Sequence, residues 1–241
     1  MIKKTIFAWS GGKDSAMALY ELCKFKRYEV SALLSVITEG YDRISMHGVR
    51  HILLKRQVES LDLPLENIYI SQNSSNKEYE EKMEKVLLSY KKKDILDVAF
   101  GDIFLEDLRK YREENLARVG MRGIFPIWKR DTAELANTFV DLGFKAVITC
   151  IDTKALDVSF VGRTFNKQFL HDIPHGVDPC GENGEFHSFV YDGPIFKNEV
   201  LFDKGDKVLR ENRFFYCDLV SRFKKDNDIP QDNPTHINST T

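Results

Sequence analysis

The sequence has no pair of cysteines placed to work together. Cys23, Cys150, Cys180 and Cys217 are far apart and form no C-x-x-C unit. A zinc knuckle, an iron–sulfur cluster and a redox dithiol are therefore not expected. Dispersed single thiols fit a reducing compartment. No apolar run approaches the roughly 20 residues that span a bilayer. The segment from Met1 to Phe7 is too short and too charged for a secretory leader. Both absences point to a cytoplasmic protein that does not enter a membrane. Neither sign of charge is in excess: 35 basic and 37 acidic residues leave a net charge of -2. The chain as a whole thus carries no signature of nucleic-acid binding. A phosphate would have to be held locally, by backbone N–H groups and a few cations. No internal repeat is present.

What is present supports a folded α/β protein. Hydrophobic residues make up 42% of 241 positions, enough to bury a full core. Strands are expected at residues 5–9, 30–37, 67–70, 96–100, 124–128 (broken by Pro126) and 146–151. Helices are expected at 15–25, 49–61, 76–90, 105–119 and 132–142. This alternation implies βαβ units and a mainly parallel sheet covered on both faces. Such sheets bind ligands beyond the carboxyl ends of their strands. After residue 152 Gly, Pro and Phe become frequent, and short strands are expected at 186–191, 199–202 and 207–217. The expected organisation is a parallel-sheet domain over 1–152, a smaller α+β subdomain over 153–223 and a disordered polar tail over 224–241.

Between the first strand and the first helix stands Ser10-Gly11-Gly12-Lys13-Asp14-Ser15. Two adjacent glycines open backbone conformations closed to other residues and let an anion reach the main chain. Positive φ is expected at Gly12. The helix that follows offers free N–H groups and the positive end of its dipole. Ser10 and Ser15 add hydroxyls, and Lys13 can neutralise phosphate charge. Asp14 cannot bind phosphate directly, so it caps the helix or faces a metal ion. The loop is not a Walker A motif, because Phe7 stands where its first glycine would be. An ordinary Gly-Gly turn is the bland alternative.

A second cluster, over 176–187, contains Glu182, Asn183, Gly184, Glu185 and His187. Two glutamates around a glycine could hold Mg²⁺, orient an amine or remove its proton. Composition alone favours a polar turn with solvated carboxylates.

The first loop resembles the SGGxDS signature of the PP-loop ATP pyrophosphatases. Loop and cluster together resemble the diphthine–ammonia ligase family, the amidases of diphthamide synthesis within the N-type branch. The match runs from Thr5 to about Phe196 and includes Gly101-Asp102, Pro126 to Trp128, Leu142-Gly143-Phe144, Gly162-Arg163 and Asp192 to Phe196. Family members carry an EGGE-x-E motif for substrate and catalysis. Here both glutamates are kept, Asn183 replaces the second glycine and His187 the last glutamate. The resemblance implies an adenine nucleotide α-hydrolase-like domain using ATP and Mg²⁺. It implies adenylation of a substrate carboxylate, release of pyrophosphate, and attack by ammonia or an amine. Nucleotide contacts are expected at Ser10, Gly11, Gly12, Lys13, Asp14, Ser15, His47, Gly101 and Asp102. Catalysis is expected at Glu182, Glu185 and His187, and metal binding at Asp14 and Glu185. The acceptor stays open between diphthine, on a modified protein side chain, and another carboxylate. With no glutaminase-type domain visible, nitrogen would come from free ammonium or a partner. A homodimer is compatible with all of this.

Three other functions share the loop. A tRNA-modifying enzyme would want a basic surface and often working cysteines. A nucleotide-binding regulator would not require the second cluster. An ATP pyrophosphohydrolase would need no acceptor. Among single residues, His47 and His51 are four apart on an expected helix, without an evident third ligand. Asp102 and Glu106 follow a strand end and read equally as site or surface. Arg109, Arg112 and Asn115 read as a solvated helix face or as anion contacts, Trp9 and Trp128 as core, and Arg163 as a phosphate contact by resemblance alone.

Overall fold

The computed structural model describes residues 2–40, 43–44, 48–72 and 74–222. The expectations for His47 and for the 224–241 tail lie outside the described residues. The first sheet is built from β1 (Lys3–Ala8), β2 (Tyr28–Thr38), the two-residue β3 (Arg43–Ile44), β4 (Leu65–Ile70), β5 (Asp97–Ala99) and β6 (Arg122–Ile124). Five of these are parallel, in the order β4-β2-β1-β5-β6. β3 lies antiparallel to the end of β2. The helices are α1 (Lys13–Lys24), α2 (His51–Leu61), α3 (Asn76–Lys91), α4 (Glu106–Arg118) and α5 (Thr132–Asp141).

Successive strand residues point to opposite faces, and here both faces are buried. Phe7, Leu33 and Ala99 join one core with α1, α2 and α5. Their neighbours Ile6, Leu34 and Val98 join another with α3 and α4. This is why the strands read as continuous apolar runs. β1 is flanked by β2 on one side and β5 on the other, so chain direction over the sheet reverses between β1 and β5. The loops leaving those two strands border the crevice in which such sheets bind ligands.

The second sheet contains β7 (Lys145–Asp152), β8 (Thr164–Phe165), β9 (Phe186–Asp192), β10 (Phe202–Arg210) and β11 (Phe214–Ser221), with the six-residue α6 (Lys167–Asp172) beside it. All its pairings are antiparallel, with β7 at the centre. The mixed α/β architecture with a smaller antiparallel second part is thus the one expected.

Four local expectations are corrected. The 146–151 strand does not extend the parallel sheet but is the middle of the second one. With it, the change of sheet falls between residues 124 and 145. The strand expected at 124–128 is Arg122–Ile124, and Pro126 to Lys129 form turns, since Pro126 has no N–H for a ladder. The strand expected at 199–202 begins only at Phe202. The single strand expected at 207–217 is a hairpin: Glu211 and Asn212 at φ 52° and 50° reverse the chain between β10 and β11.

Candidate active site

Gly11 has φ +77° and Gly12 has φ −88° with ψ 172°. The left-handed conformation expected at Gly12 therefore belongs to Gly11, and Gly12 is extended. α3, α5 and α6 are capped by the side chains of Ser75, Asp131 and Asn166, whereas α1 has Gly12 at its cap and no side-chain cap bond. α2 and α4 lack a side-chain cap as well; at α1 the Gly12 and Lys13 N–H groups meet the hydroxyls of Ser10 and Ser188, polar partners that a phosphate oxygen can replace. Asp14, expected as cap or metal ligand, is not the cap. The hydroxyls close a ring around the loop: Ser10 Oγ donates to Ser15 Oγ (3.1 Å), Ser15 Oγ to the Gly12 carbonyl (2.9 Å), and Gly12 N–H to Ser10 Oγ (3.3 Å).

Lys13 is 3% exposed and turns its ammonium toward the second part of the chain. It donates to Asp14 Oδ1 at 2.6 Å and to the Cys180 carbonyl, over the rings of Phe186 and Phe165. Burial works against its charge, but Asp14, Cys180 and Glu182 outweigh burial and hold its pKa above the ordinary lysine value. Burial raises the Asp14 carboxyl, with Lys13 pulling the other way. Gly101 is required for packing: a Cβ there would lie 2.9 Å from Ser15 N and 3.0 Å from the Asp14 carbonyl carbon. The strand-end glycine lets the β5 loop close against the first turn of α1.

A cavity of about 620 Å³ lies between these loops. Ser10, Gly12, Lys13, Asp14 and Ser15 form one wall, Gly101, Asp102 and Arg112 another, and Glu182, His187 and Ser188 a third. Glu182 Oε1 accepts from Ile103 N–H at 2.8 Å and Phe104 N–H at 3.4 Å. Burial pushes its pKa up to about 7, the Ile103 N–H opposing and Asp14 adding to the rise. Burial and the nearby Lys13 charge push His187 down to about 4, so its imidazole is neutral at pH 7. Glu185 is buried and does not line the cavity. Its Oε1 accepts from Asp178 N–H and Asn183 Nδ2, each at 3.1 Å, and its Oε2 is buried without a hydrogen-bond partner. The carboxylate organises the 178–185 turn instead of facing the space where Glu182 stands.

Asp102 is held by a bidentate pair with Arg112 (2.6 and 3.1 Å), whose guanidinium lies over the Phe100 ring. Arg112 belongs to the cavity wall and not to a solvated face. Arg109 lies over Phe125 and Trp128. Arg163, expected near phosphate by resemblance, pairs with Asp172 at 2.5 Å, lies over Phe160, and is absent from the cavity wall. His51 is buried with its ring edge-on to Tyr69. Trp9 is in the core as expected, and Trp128 is only partly buried.

Among the described residues no three His, Cys, Asp or Glu side chains cluster to hold a metal. Mg²⁺ needs no such cluster, since it is usually held by substrate phosphates and one or two carboxylates. Asp14 fits such a role because it lines the cavity beside the phosphate loop, and Glu185 does not.

A second cavity of about 310 Å³ opens from the first, sharing Ala8, Ser10, Phe100 and Arg112. Leu34, Val36, Tyr79, Met83 and Tyr111 make it mainly apolar. Sequence reading missed it, because Met83 on an amphipathic helix looks like ordinary core. It also missed Ser188, whose Oγ accepts the Lys13 N–H at 3.1 Å, and Gln57, buried beneath the loop.

Two family profiles cover most of the chain. The diphthamide synthase N-terminal domain matches residues 3–123, and the diphthamide synthase C-terminal domain matches residues 131–224. The chain is 25% identical to a diphthine–ammonia ligase of Danio rerio over 237 residues, covering 90% of this chain and 92% of that protein. It is 25% identical to the Homo sapiens diphthine–ammonia ligase, covering 89% and 88%. With the Schizosaccharomyces pombe diphthine–ammonia ligase it shares 32% identity over 83% of this chain but 36% of that longer protein.

Proposed function

The chain belongs to the diphthamide synthase family, and from that premise we propose that it is an AMP-forming, ATP-dependent carbon–nitrogen ligase of the diphthine–ammonia ligase type. One observation supports this reading most: a single cavity has the uncapped loop on one wall and Glu182 with His187 on another. A nucleotide sensor needs only the first wall.

In this reading the triphosphate lies along Ser10 to Ser15 and the base enters the adjoining apolar cavity. The α-phosphorus then falls near the rim the two cavities share. A substrate carboxylate oxygen attacks it, the bond to the bridging oxygen breaks, and pyrophosphate leaves into the loop. Backbone N–H groups, the loop hydroxyls and Lys13 stabilise the charge that develops there. Ammonia then attacks the acyl carbon, AMP departs and nitrogen loses one proton. Glu182, poised near neutrality, takes that proton. His187 stays neutral and can accept a hydrogen bond from the amine. Glu185 keeps the turn bearing Glu182 in place. Asp14 would hold Mg²⁺ together with the phosphates, and the ion would supply charge neutralisation of the leaving group.

The acceptor carboxylate is a modified protein side chain, ammonium is the nitrogen source, and the setting is the cytoplasm. No helix among the described residues is long and apolar enough to cross a membrane. The test is to incubate protein, ATP, Mg²⁺ and ammonium with cell extract and to separate the nucleotide products. AMP with pyrophosphate, and a mass change in a cellular component, are expected. ADP with phosphate as main products would overturn the assignment.

A further inference from the structure

Beneath the phosphate loop lies a side chain that no motif includes. Gln57, in the middle of α2, is fully buried. Its Nε2 donates to the Gly11 carbonyl at 3.0 Å and to the Val190 carbonyl at 2.5 Å, and its Oε1 accepts from Trp9 Nε1 at 3.2 Å. The orientation of this amide is chemically forced. Two carbonyls can only accept and an indole N–H can only donate, so nitrogen and oxygen cannot be exchanged. The Gly11 carbonyl also accepts the Val190 N–H at 2.9 Å. One carbonyl is thus held by both α2 and β9.

That carbonyl belongs to the same planar peptide as the Gly12 N–H. In a trans peptide the two point in opposite directions. Fixing the Gly11 oxygen toward Gln57 and β9 therefore fixes the Gly12 N–H on the other side, where it meets Ser10 Oγ at the cavity wall. The same contact explains residue 11 a second time. Besides its positive φ, a Cβ there would lie 2.6 Å from Gln57 Oε1.

We propose that Gln57 is a positioning residue for the phosphate loop: its amide orients the Gly11–Gly12 peptide for pyrophosphate and ties that peptide to β9, the strand that carries His187 and Ser188. This rests on the functional reading above. It adds a link between the two walls, because the peptide that presents an N–H to phosphate is held by the strand that presents the amidation groups.

The test uses the full chain with inorganic pyrophosphate and AMP as separate probes in calorimetry, and the ratio of each variant to wild type at equal pH. Gln57→Met keeps the length and removes both donors. It should weaken pyrophosphate binding by about tenfold or more while leaving AMP affinity within about twofold. Gln57→Glu can donate one O–H when protonated and none when ionised. Its pyrophosphate deficit should therefore grow as pH rises from about 6 to 9, whereas the deficit of Gln57→Met should not. In the wild-type chain, which needs no variant to fold, the Trp9 indole N–H resonance should shift on adding pyrophosphate. Three results would each overturn the proposal: wild-type pyrophosphate affinity in a folded Gln57→Met variant, equal losses for AMP and pyrophosphate, or an unmoved Trp9 resonance in wild-type protein that binds pyrophosphate. If the wild-type chain binds neither ATP nor pyrophosphate, the functional reading fails first.

Discussion

Glu182 is pulled in two directions. The cavity wall disfavours its charge, and two backbone N–H groups favour it; burial wins, leaving a pKa of about 7. As a proton acceptor it works when ionised, so amide formation should rise with pH through about 7. Assays at constant free ammonia separate this from the titration of ammonium itself. Glu182→Gln should abolish most product and flatten the rise; an unchanged profile would remove Glu182 from the mechanism. Stability moves the opposite way with pH. A carboxyl whose folded pKa exceeds its unfolded value stabilises the fold at low pH and loses that contribution as pH rises through the folded value. Wild type should therefore lose stability relative to Glu182→Gln between the ordinary glutamate range and about pH 7, which thermal melts at matched pH values check. Lys13 gives a second prediction. Its charge sits between Asp14 and the Cys180 carbonyl. Lys13→Ala should cost about 2–3 kcal/mol, below the full cost of breaking a buried pair because Asp14 keeps contact with water through the cavity. Unfolding in urea measures it, and a cost near zero would show that the Lys13 contacts are dispensable.

The start of α1 shows how one element is placed by three others. β1 delivers the loop, α2 holds it from below through Gln57, and the β5 loop touches it at Gly101. At Gly101 the obstructing atoms are backbone, which cannot swing aside. Gly101→Ala should therefore destabilise by about 1–3 kcal/mol and weaken ATP binding together with stability, since Ser15 must move. Gly176, in the second cluster, has nothing within 4 Å of a Cβ and no positive φ. Gly176→Ala should stay within about 0.5 kcal/mol of wild type. Chemical denaturation of both variants, with ATP titrations, makes the comparison. Equal effects would mean that the contact at Gly101 relaxes freely.

For the molecule as a whole, one apolar cluster includes Phe7 and Leu33 of the first sheet and Ile148 and Phe189 of the second. The two sheets should consequently unfold together. ATP at about one hundred times its dissociation constant should stabilise this unit by about 2.7 kcal/mol, roughly 5–10 °C for a chain of this size. Scanning calorimetry should show one transition that moves upward as a whole. Two transitions, with ATP moving only one, would separate the sheets energetically.

Alternation of apolar runs and amphipathic stretches was enough for a mainly parallel sheet, because strands buried on both faces and helices buried on one have different periods. The loop was legible because Gly11, Gly12 and the two serines are contiguous. The placement of β7 was not, since a buried strand looks the same in either sheet, and only its partners β8, β9 and β11 distinguish them. Which glycine takes positive φ, which of two glutamates meets the cavity, and the role of Gln57 were also decided in three dimensions. Gly11 turns left-handed where Gln57 and β9 grip its carbonyl, and Glu185 turns away because Asp178 and Asn183 claim its oxygen. Each depends on a partner that folding supplies. A local motif names the groups able to bind phosphate, but the direction in which they point is set by contacts between residues as distant as 57 and 190.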